Sequence, residues 1–406
     1  MNITFNDILK ATETLKGNIK KTPTIYASKL GNKLNCELFL KLECLQLTSS
    51  FKTRGAYIAI KKSTLKNPGK GVIAMSAGNH AQAVAFHAKN LNIPATIIMP
   101  EQAPFSKVTR TKELNAKVIL KGRTLNETND FVDDLAQKNN LTLIHPYDDP
   151  DVVAGQGSIG FEIFDEIKDL DCLVIPIGGG GLISGISIVA KNINPKIKIF
   201  GVESKLYPCM YNIFNNKTFP CAGDTIADGI AVKSPGKLNI PIISKLVDDI
   251  ILVDEISIEN SISNLFEEER VISEGAGSAG VAAIMDNNKL FRNKKVGTVI
   301  CGGNIDSRVF AGILNRQLSR EGKIARIRID ITDEPGMLAK ISNTIAKTGG
   351  NIIEIYHQRM FHDIPVKKAK IDAVIETHSS SNVNKIINSL KEEKFEVVLI
   401  KENSGI

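Results

Sequence analysis

Four short segments of this sequence set residue types that can do chemistry at spacings that matter. Ser49-Ser50-Phe51-Lys52-Thr53-Arg54-Gly55 puts a lysine where a Ser/Thr-rich loop meets a helix expected from about Arg54. A lysine partly withdrawn from water at such a junction loses basicity, so it can attack a carbonyl as a Schiff-base nucleophile and carry a proton. Ser76-Ala77-Gly78-Asn79-His80-Ala81-Gln82 follows a strand and opens a helix. Its backbone N–H groups and the positive helix end suit a carboxylate. A plain N-cap, with Ser76 or Asn79 satisfying the first helical amides, is the competing reading.

Gly178-Gly179-Gly180-Gly181-Leu182 lies between an apolar strand and a helix. Glycines opening a helix cost stability, and what they gain is backbone N–H groups free to close around a phosphate. The run is neither a dinucleotide fingerprint, whose last glycine would fall on Ile183, nor a Walker loop, since no Gly-Lys-Ser/Thr follows. Cys301-Gly302-Gly303-Asn304 ends another apolar strand. Taken alone it is a strand-ending turn, although a thiol there could donate weakly to a ring nitrogen.

His80 lies in the carboxylate-binding turn, which favours positioning over acid–base work. His87, His145, His357, His362 and His378 show no paired spacing, so they read as surface or packing residues and no metal site is expected.

The elements that must hold these segments alternate through the first 310 or so residues. Strands are expected at Val72–Met75, Ala95–Met99, Lys117–Leu120, Cys172–Ile177, Ile197–Val202 and Val296–Ile300, with helices at Asn79–Asn90 and near Ser106–Leu114. Largely apolar strands separated by helices imply an α/β fold with parallel sheets covered on both faces, and ligands at the strands' carboxyl ends.

The pattern changes near residue 320, after a polar candidate linker, Ser319–Lys323. Arg326–Ile331 alternates with period two. The turn Asp333–Gly336 leads into a helix expected to turn Leu338, Ile341, Ile345 and Ala346 inward. Gly349-Gly350 then ends that helix. Strands at Asn351–Ile355, Ala369–Ile375 and Glu396–Ile400, with a helix at Asn382–Glu392, complete a β-α-β-β-α-β unit. The expected domains are therefore residues 1–318 and 325–406.

The 406 residues carry 51 basic and 44 acidic side chains, a net charge of +7, with no tryptophan. The lysines are scattered, which suits a solvated surface and argues against nucleic acid. Six cysteines without a C-x-x-C pair suit free thiols in a reducing cytoplasm. No apolar run nears the roughly 18–20 residues that span a bilayer. The N-terminus has no signal-peptide pattern, so a cytoplasmic protein that avoids membranes is expected.

Taken together, residues 5–318 resemble the fold-type II pyridoxal-phosphate enzymes, and within them the threonine dehydratases. Ser-Phe-Lys-Thr-Arg-Gly, Ser-Ala-Gly-Asn-His-Ala-Gln, Gly-Gly-Gly-Gly-Leu and Cys-Gly-Gly-Asn stand in the family's order, and Thr225–Ala231 also matches the dehydratases. The resemblance implies two open, twisted parallel-sheet subdomains and a pyridoxal 5'-phosphate cofactor bound covalently to Lys52 beside Phe51. Asn79 would bond the ring hydroxyl, Gly178, Gly179, Gly180, Gly181 and Leu182 would hold the phosphate, and Cys301 would face the ring nitrogen. Ser76, Ala77, Gly78, Asn79 and His80 would bind the substrate carboxylate. Glu274 matches a family position close to the ring.

The implied reaction is β-elimination of L-threonine to 2-oxobutanoate and ammonia, and of L-serine to pyruvate. A neutral thiol cannot stabilise a protonated ring nitrogen as an aspartate would, which favours prompt elimination over transamination. Serine racemases resemble this chain too. They place a serine directly before Gly-Asn-His, where Ala77 stands here, and they hold a cation near the positions of Glu203 and Cys209; a thiol suits a hard cation poorly. Threonine synthase and cysteine synthase usually place an acidic residue after the lysine, where Thr53 stands.

The C-terminal unit is similar to ACT domains, α+β and ferredoxin-like. Such domains pair and bind amino acids where their loops meet, here Asp333, Gly336 and Asn351. That implies an amino-acid effector such as isoleucine or valine, or, differently, a unit that only strengthens a homodimer or homotetramer.

Overall fold

The computed structural model describes residues 3–122, 125–359 and 365–400, and the strands expected from the sequence are present with ends within three residues. His362 lies outside the described residues. In chain order the first ten strands are β1 (Thr24–Tyr26), β2 (Glu37–Lys41), β3 (Val72–Met75), β4 (Ala95–Met99), β5 (Lys117–Leu120), β6 (Thr142–Leu143), β7 (Cys172–Pro176), β8 (Lys198–Ser204), β9 (Asp249–Val253) and β10 (Lys295–Val299). The chain divides between Ile305 and Asp306 into two units.

The first unit holds two sheets. Six strands run in the order β1-β2-β10-β7-β8-β9, all parallel to their neighbours except β1. Four more run parallel in the order β5-β4-β3-β6. Ala74, Ile97 and Met99 pack against Ala81, Val84, Ala85 and Ala88 of the helix Asn79–Asn90, while Ile73 and Ile98 meet Val132 on the opposite face. Burial on both faces is why these strands read as unbroken apolar runs. Each fully buried isoleucine or valine contributes roughly 1.5–3 kcal/mol over an exposed one.

The second unit begins with the helix Ser307–Arg320. It continues through β11 (Ile324–Thr332), the helix Met337–Lys347, β12 (Asn351–Gln358), β13 (Lys368–Glu376), the helix Ser380–Glu392 and β14 (Glu396–Ile400). Its antiparallel sheet has the order β12-β13-β11-β14, the ferredoxin-like arrangement.

Three expectations need correcting. Ser319–Lys323 is no free linker but the end of a helix and a tight turn, with Gly322 at φ +68° and its carbonyl accepting from Thr377 Oγ1. A polar helix end has a linker's composition. The buried stripe of the helix Met337–Lys347 runs through Met337, Ile341 and Ile345, four residues apart, so Leu338 and Ala346 are exposed. Nor are all six cysteines free thiols. Cys209 and Cys221 are disulfide-bonded, with Cα atoms 6.1 Å apart, while Cys36, Cys44, Cys172 and Cys301 are unpaired and buried. Spacing could not reveal this pair: the helix Cys209–Asn215 ends at Asn216 in the left-handed conformation and the chain doubles back.

No helix among the described residues is long and apolar enough to cross a membrane.

Candidate active site

Four loops converge from the carboxyl ends of parallel strands, where open α/β sheets bind ligands. They follow β3 (Ser76–Asn79), β6 (His145–Asp148), β7 (Gly178–Gly181) and β10 (Cys301–Asn304).

Lys52 opens the helix Lys52–Lys66, with Phe51 as its N-cap. The segment before it is stitched to the end of β10: Ser50 and Gly302 form an antiparallel bridge, and Phe51 N donates to the Cys301 carbonyl at 3.0 Å. This brings Lys52 beside Cys301 across 249 positions of sequence. The helix start is pinned by Arg54, which is wholly buried. Its guanidinium donates to both carboxylate oxygens of Glu43 (2.9 and 2.7 Å) and of Glu162 (2.6 and 2.9 Å), and to Ser158 Oγ. Lys41 completes the cluster at 2.8 Å from Glu162. The planar fork satisfies two carboxylates at once, as a lysine could not.

The Lys52 amine donates to the Pro146 carbonyl at 2.7 Å and lies 5.1 Å from the centre of the Phe51 ring. Desolvation is the largest influence on it and lowers its pKa to about 8. A usable fraction of uncharged amine therefore exists near neutral pH. Burial pushes the Cys301 thiol well above its ordinary value, with the Glu274 charge adding to it, so the thiol stays protonated.

Gly180 has φ +93° and caps the helix Gly181–Ile193. A Cβ on Gly179 would sit 2.0 Å from the Tyr147 ring. Asn239 Nδ2 donates to the Gly179 and Tyr147 carbonyls at 2.9 and 3.0 Å, fixing the loop from behind. The result is a side-chain-free cradle at the positive end of a helix of 13 residues.

In the turn after β3, Ser76 Oγ accepts from Gly78 N at 3.1 Å, and Ala77 is half-buried. Asn79 donates through Nδ2 to Glu274 Oε1 at 2.6 Å and accepts through Oδ1 from Asn304 Nδ2 at 2.8 Å. His80, expected beside the substrate carboxylate, has its Nε2 committed to the Ile144 carbonyl at 2.8 Å. Burial, with the Lys52 charge, lowers its pKa to about 3, so the ring is neutral and ties its helix to the end of β6.

The loop His145–Asp148 is not among the segments expected from the sequence, in which His145 reads as surface or packing. His145 Nδ1 accepts from the backbone of Tyr147 (3.3 Å) and Asp148 (2.8 Å), shaping the loop that supplies the Pro146 carbonyl. The available signal was Asp149-Pro150, an N-cap and first-turn proline marking a helix start. A preceding strand of two residues is too short to recognise. Asn239 and Asn304 carried no local signal. Of the other histidines, His87 is buried edge-on against Tyr57, His357 is half-buried and His378 is exposed.

The lysine, the cradle, the protonated thiol and the part-buried Asn79–Glu274 pair fit pyridoxal 5'-phosphate. Lys52 would hold its aldehyde carbon, the Gly178–Leu182 amides its phosphate, Cys301 its ring nitrogen and Asn79 its ring hydroxyl.

The residues expected to bind an effector are not brought together within the second unit. Asp333, paired with Arg359 at 3.0 Å, and Gly336 follow the end of β11. Asn351 starts β12 opposite Glu376, at the end of the sheet where β11 begins.

The family model for pyridoxal-phosphate dependent enzymes matches residues 15–302. The L-threonine ammonia-lyase of Thermotoga maritima is 40% identical over 401 residues, covering 98% of this chain and 100% of that protein. Maize serine racemase superposes with a TM-score of 0.73 at 30% identity, over 79% of this chain and 99% of that one. The processed form of threonine deaminase isoform 2 from Solanum lycopersicum gives 0.71 at 31%, over 78% and 89%.

Proposed function

We propose, since this chain belongs to the family of pyridoxal-phosphate dependent enzymes, that it is an L-threonine ammonia-lyase. It would form 2-oxobutanoate and ammonia from L-threonine, and pyruvate from L-serine. The observation that carries the reading is the stitching of Lys52 to the Cys301 loop opposite a glycine cradle. The choice of substrate rests on likeness along nearly the whole chain to an L-threonine ammonia-lyase.

Pyridoxal phosphate, when bound, supplies an electron sink that acidifies the α-carbon of an amino acid. Around it, backbone N–H groups of the Ser76–Asn79 turn bind the substrate carboxylate, and those of Gly178–Leu182 bind phosphate. The Lys52 amine, with its lowered basicity, takes the α-proton. The Pro146 carbonyl holds that amine in place. Cys301 offers a neutral hydrogen bond rather than a charge, which limits the sink and favours loss of the β-hydroxyl over transamination.

A racemase is the second reading, favoured by the superposition on maize serine racemase. Racemisation needs a proton donor on the face opposite Lys52, and Ala77 has no proton to give. The C-terminal unit would bind an amino acid such as isoleucine through Asp333, Gly336 and Asn351. Because these residues lie apart in one copy, the site would need a second copy, in a homodimer or homotetramer. The domains would be a catalytic part to about residue 318 and an ACT-like part from 325. The same reading places the enzyme in the cytoplasm.

The test is 2-oxoacid formation by the purified holoenzyme from L-threonine and L-serine, with and without isoleucine. Rapid 2-oxobutanoate formation slowed by isoleucine supports both the lyase and the effector. Formation that isoleucine leaves untouched keeps the lyase and sinks isoleucine as effector. D-serine appearing as fast as pyruvate sinks the lyase reading in favour of the racemase.

A further inference from the structure

We propose that Cys209 and Cys221 form a reversible thiol–disulfide site that controls the local stability of residues 216–224 and leaves turnover unchanged. The two sulfurs differ in their surroundings. Cys209 is buried at the start of its helix, and the next two residues are clamped to the end of β8. There Met210 N and Tyr211 N donate to the Glu203 carboxylate at 2.9 and 2.8 Å. Cys221 is half-buried and follows the exposed run Asn216–Pro220, with Ala222–Asp224 exposed after it.

Besides the disulfide, that stretch is held by Lys217 N, which donates to the Asn212 carbonyl at 2.8 Å, by the Phe219 ring, 6.2 Å from that of Tyr211, and by a few further hydrogen bonds. Asn212 exchanges hydrogen bonds with the backbone of Phe219 at 2.7 and 3.0 Å, Ala222 N donates to the Leu206 carbonyl, and the Tyr207 hydroxyl donates to the Gly223 carbonyl. The side-chain bonds among them are exposed to water, the mark of a segment that opens at little cost. A cross-link between positions 12 apart removes much of the open segment's freedom.

The chemistry balances with a small-molecule disulfide as oxidant. The Cys221 thiolate attacks one of its sulfurs and releases one small thiolate. The Cys209 thiolate then attacks Cys221 Sγ in the mixed disulfide and releases the second. Two cysteines lose two electrons and two protons, and the oxidant becomes two thiols. A disulfide in a cytoplasmic protein is usually transient or redox-sensing. The cytoplasmic setting rests on the proposed function; the pairing itself does not.

Turnover is insulated from this site by Glu255. Thr225 Oγ1 and Ile226 N are bound to its carboxylate at 2.7 and 2.8 Å. The following segment, Asp228–Ile230, lies against Gly178 and keeps its place whether or not the preceding loop is open.

The test equilibrates reduced holoenzyme with glutathione disulfide, alkylates free thiols and maps the peptides by mass. Recovery of a Cys209–Cys221 linkage that dithiothreitol reverses is expected. Both cysteines recovered as thiols, or Cys221 stopped as a glutathione adduct, overturns the site. Limited proteolysis should then cut the reduced form within 216–224 roughly tenfold faster than the oxidised form. Cys221→Ser should be cut at the reduced rate under both conditions, with Cys209→Ser as a second variant. Equal rates for the two wild-type forms overturn the control of stability. A difference above about threefold in kcat/KM between them overturns the insulation by Glu255.

Discussion

Glu274 Oε1 accepts a hydrogen bond from Asn79 Nδ2 at 2.6 Å, joining the helix that follows β3 to the helix that Glu274 caps on the other sheet. Asn79 Oδ1 is engaged by Asn304, so the amide cannot turn over: its NH2 faces the carboxyl and its second N–H is free for a ring hydroxyl. Burial, helped by the Asp228 charge, raises the Glu274 carboxyl to about 7 against the pull of Asn79. Glu274 is thus a positioning residue for Asn79.

Glu274→Ala should lower kcat/KM for L-threonine roughly ten- to a hundredfold, the equivalent of about 1.5–3 kcal/mol for a hydrogen bond to a charged partner. Glu274→Gln, which can still accept from Asn79, should recover most of that loss. Steady-state kinetics of the three proteins decides it. An alanine variant with wild-type kcat/KM would remove Glu274 from the site.

The lowered basicity of Lys52 gives a pH prediction with a definite sign. Its charged form is penalised by desolvation, so the fraction of free amine climbs about tenfold per pH unit below 8 and levels off above it. Covalent uptake of pyridoxal phosphate by the apoenzyme should follow this curve, read from the absorbance of the imine. An uptake rate still climbing steeply at pH 10 would mean that Lys52 is an ordinary lysine.

Much of this site was legible because its parts are local patterns. The glycine run, the Ser-Ala-Gly-Asn turn and the Cys-Gly-Gly turn each follow an apolar strand, and each is found at a strand's carboxyl end. What escaped notice depends on partners far apart in the chain. Pro146 serves Lys52 through a backbone carbonyl, which any residue carries, and Asn304 reaches Asn79 across 225 positions. The Cys209–Cys221 bond depends on one left-handed residue at Asn216, a conformation that asparagine tolerates but does not announce. The inward face of the helix Met337–Lys347 differs from the expected one at its first turn, where Met337 packs inward and its equally apolar neighbour Leu338 is exposed.

Gly179→Ala tests the cradle. Its methyl group would lie 2.0 Å from the Tyr147 ring, so either the ring or the loop must move. Tyr147 is held through its hydroxyl to the Ser234 carbonyl at 3.0 Å and through its own carbonyl to Asn239, which leaves the loop to yield. Affinity for pyridoxal phosphate should fall tenfold or more, as helix-terminus amides lose their aim. Equilibrium dialysis of the apoenzyme against the cofactor measures it, and unchanged affinity would place the phosphate elsewhere.

Arg54→Met should be the most destabilising of these changes, and its cost should depend on pH. The substitution keeps the bulk but leaves the carboxylates of Glu43 and Glu162 facing each other, with Lys41 as the remaining cation. Breaking a buried pair from one side costs about 3–5 kcal/mol. Burial raises the Glu162 carboxyl, but hydrogen bonds and charge from Arg54, joined by Lys41, outweigh it and hold the group below its ordinary value. Stability from a depressed carboxyl is present above its unfolded pKa of 4.5 and is lost as pH falls through the folded value. The gap between wild type and variant should therefore be widest near neutral pH and shrink below about 4.5, where the Glu162 carboxyl can be neutral without Arg54. Arg54→Lys should recover little, because one ammonium cannot span both carboxylates. Urea unfolding at several pH values measures the gap; a constant difference across that range would mean that Arg54 acts through packing alone.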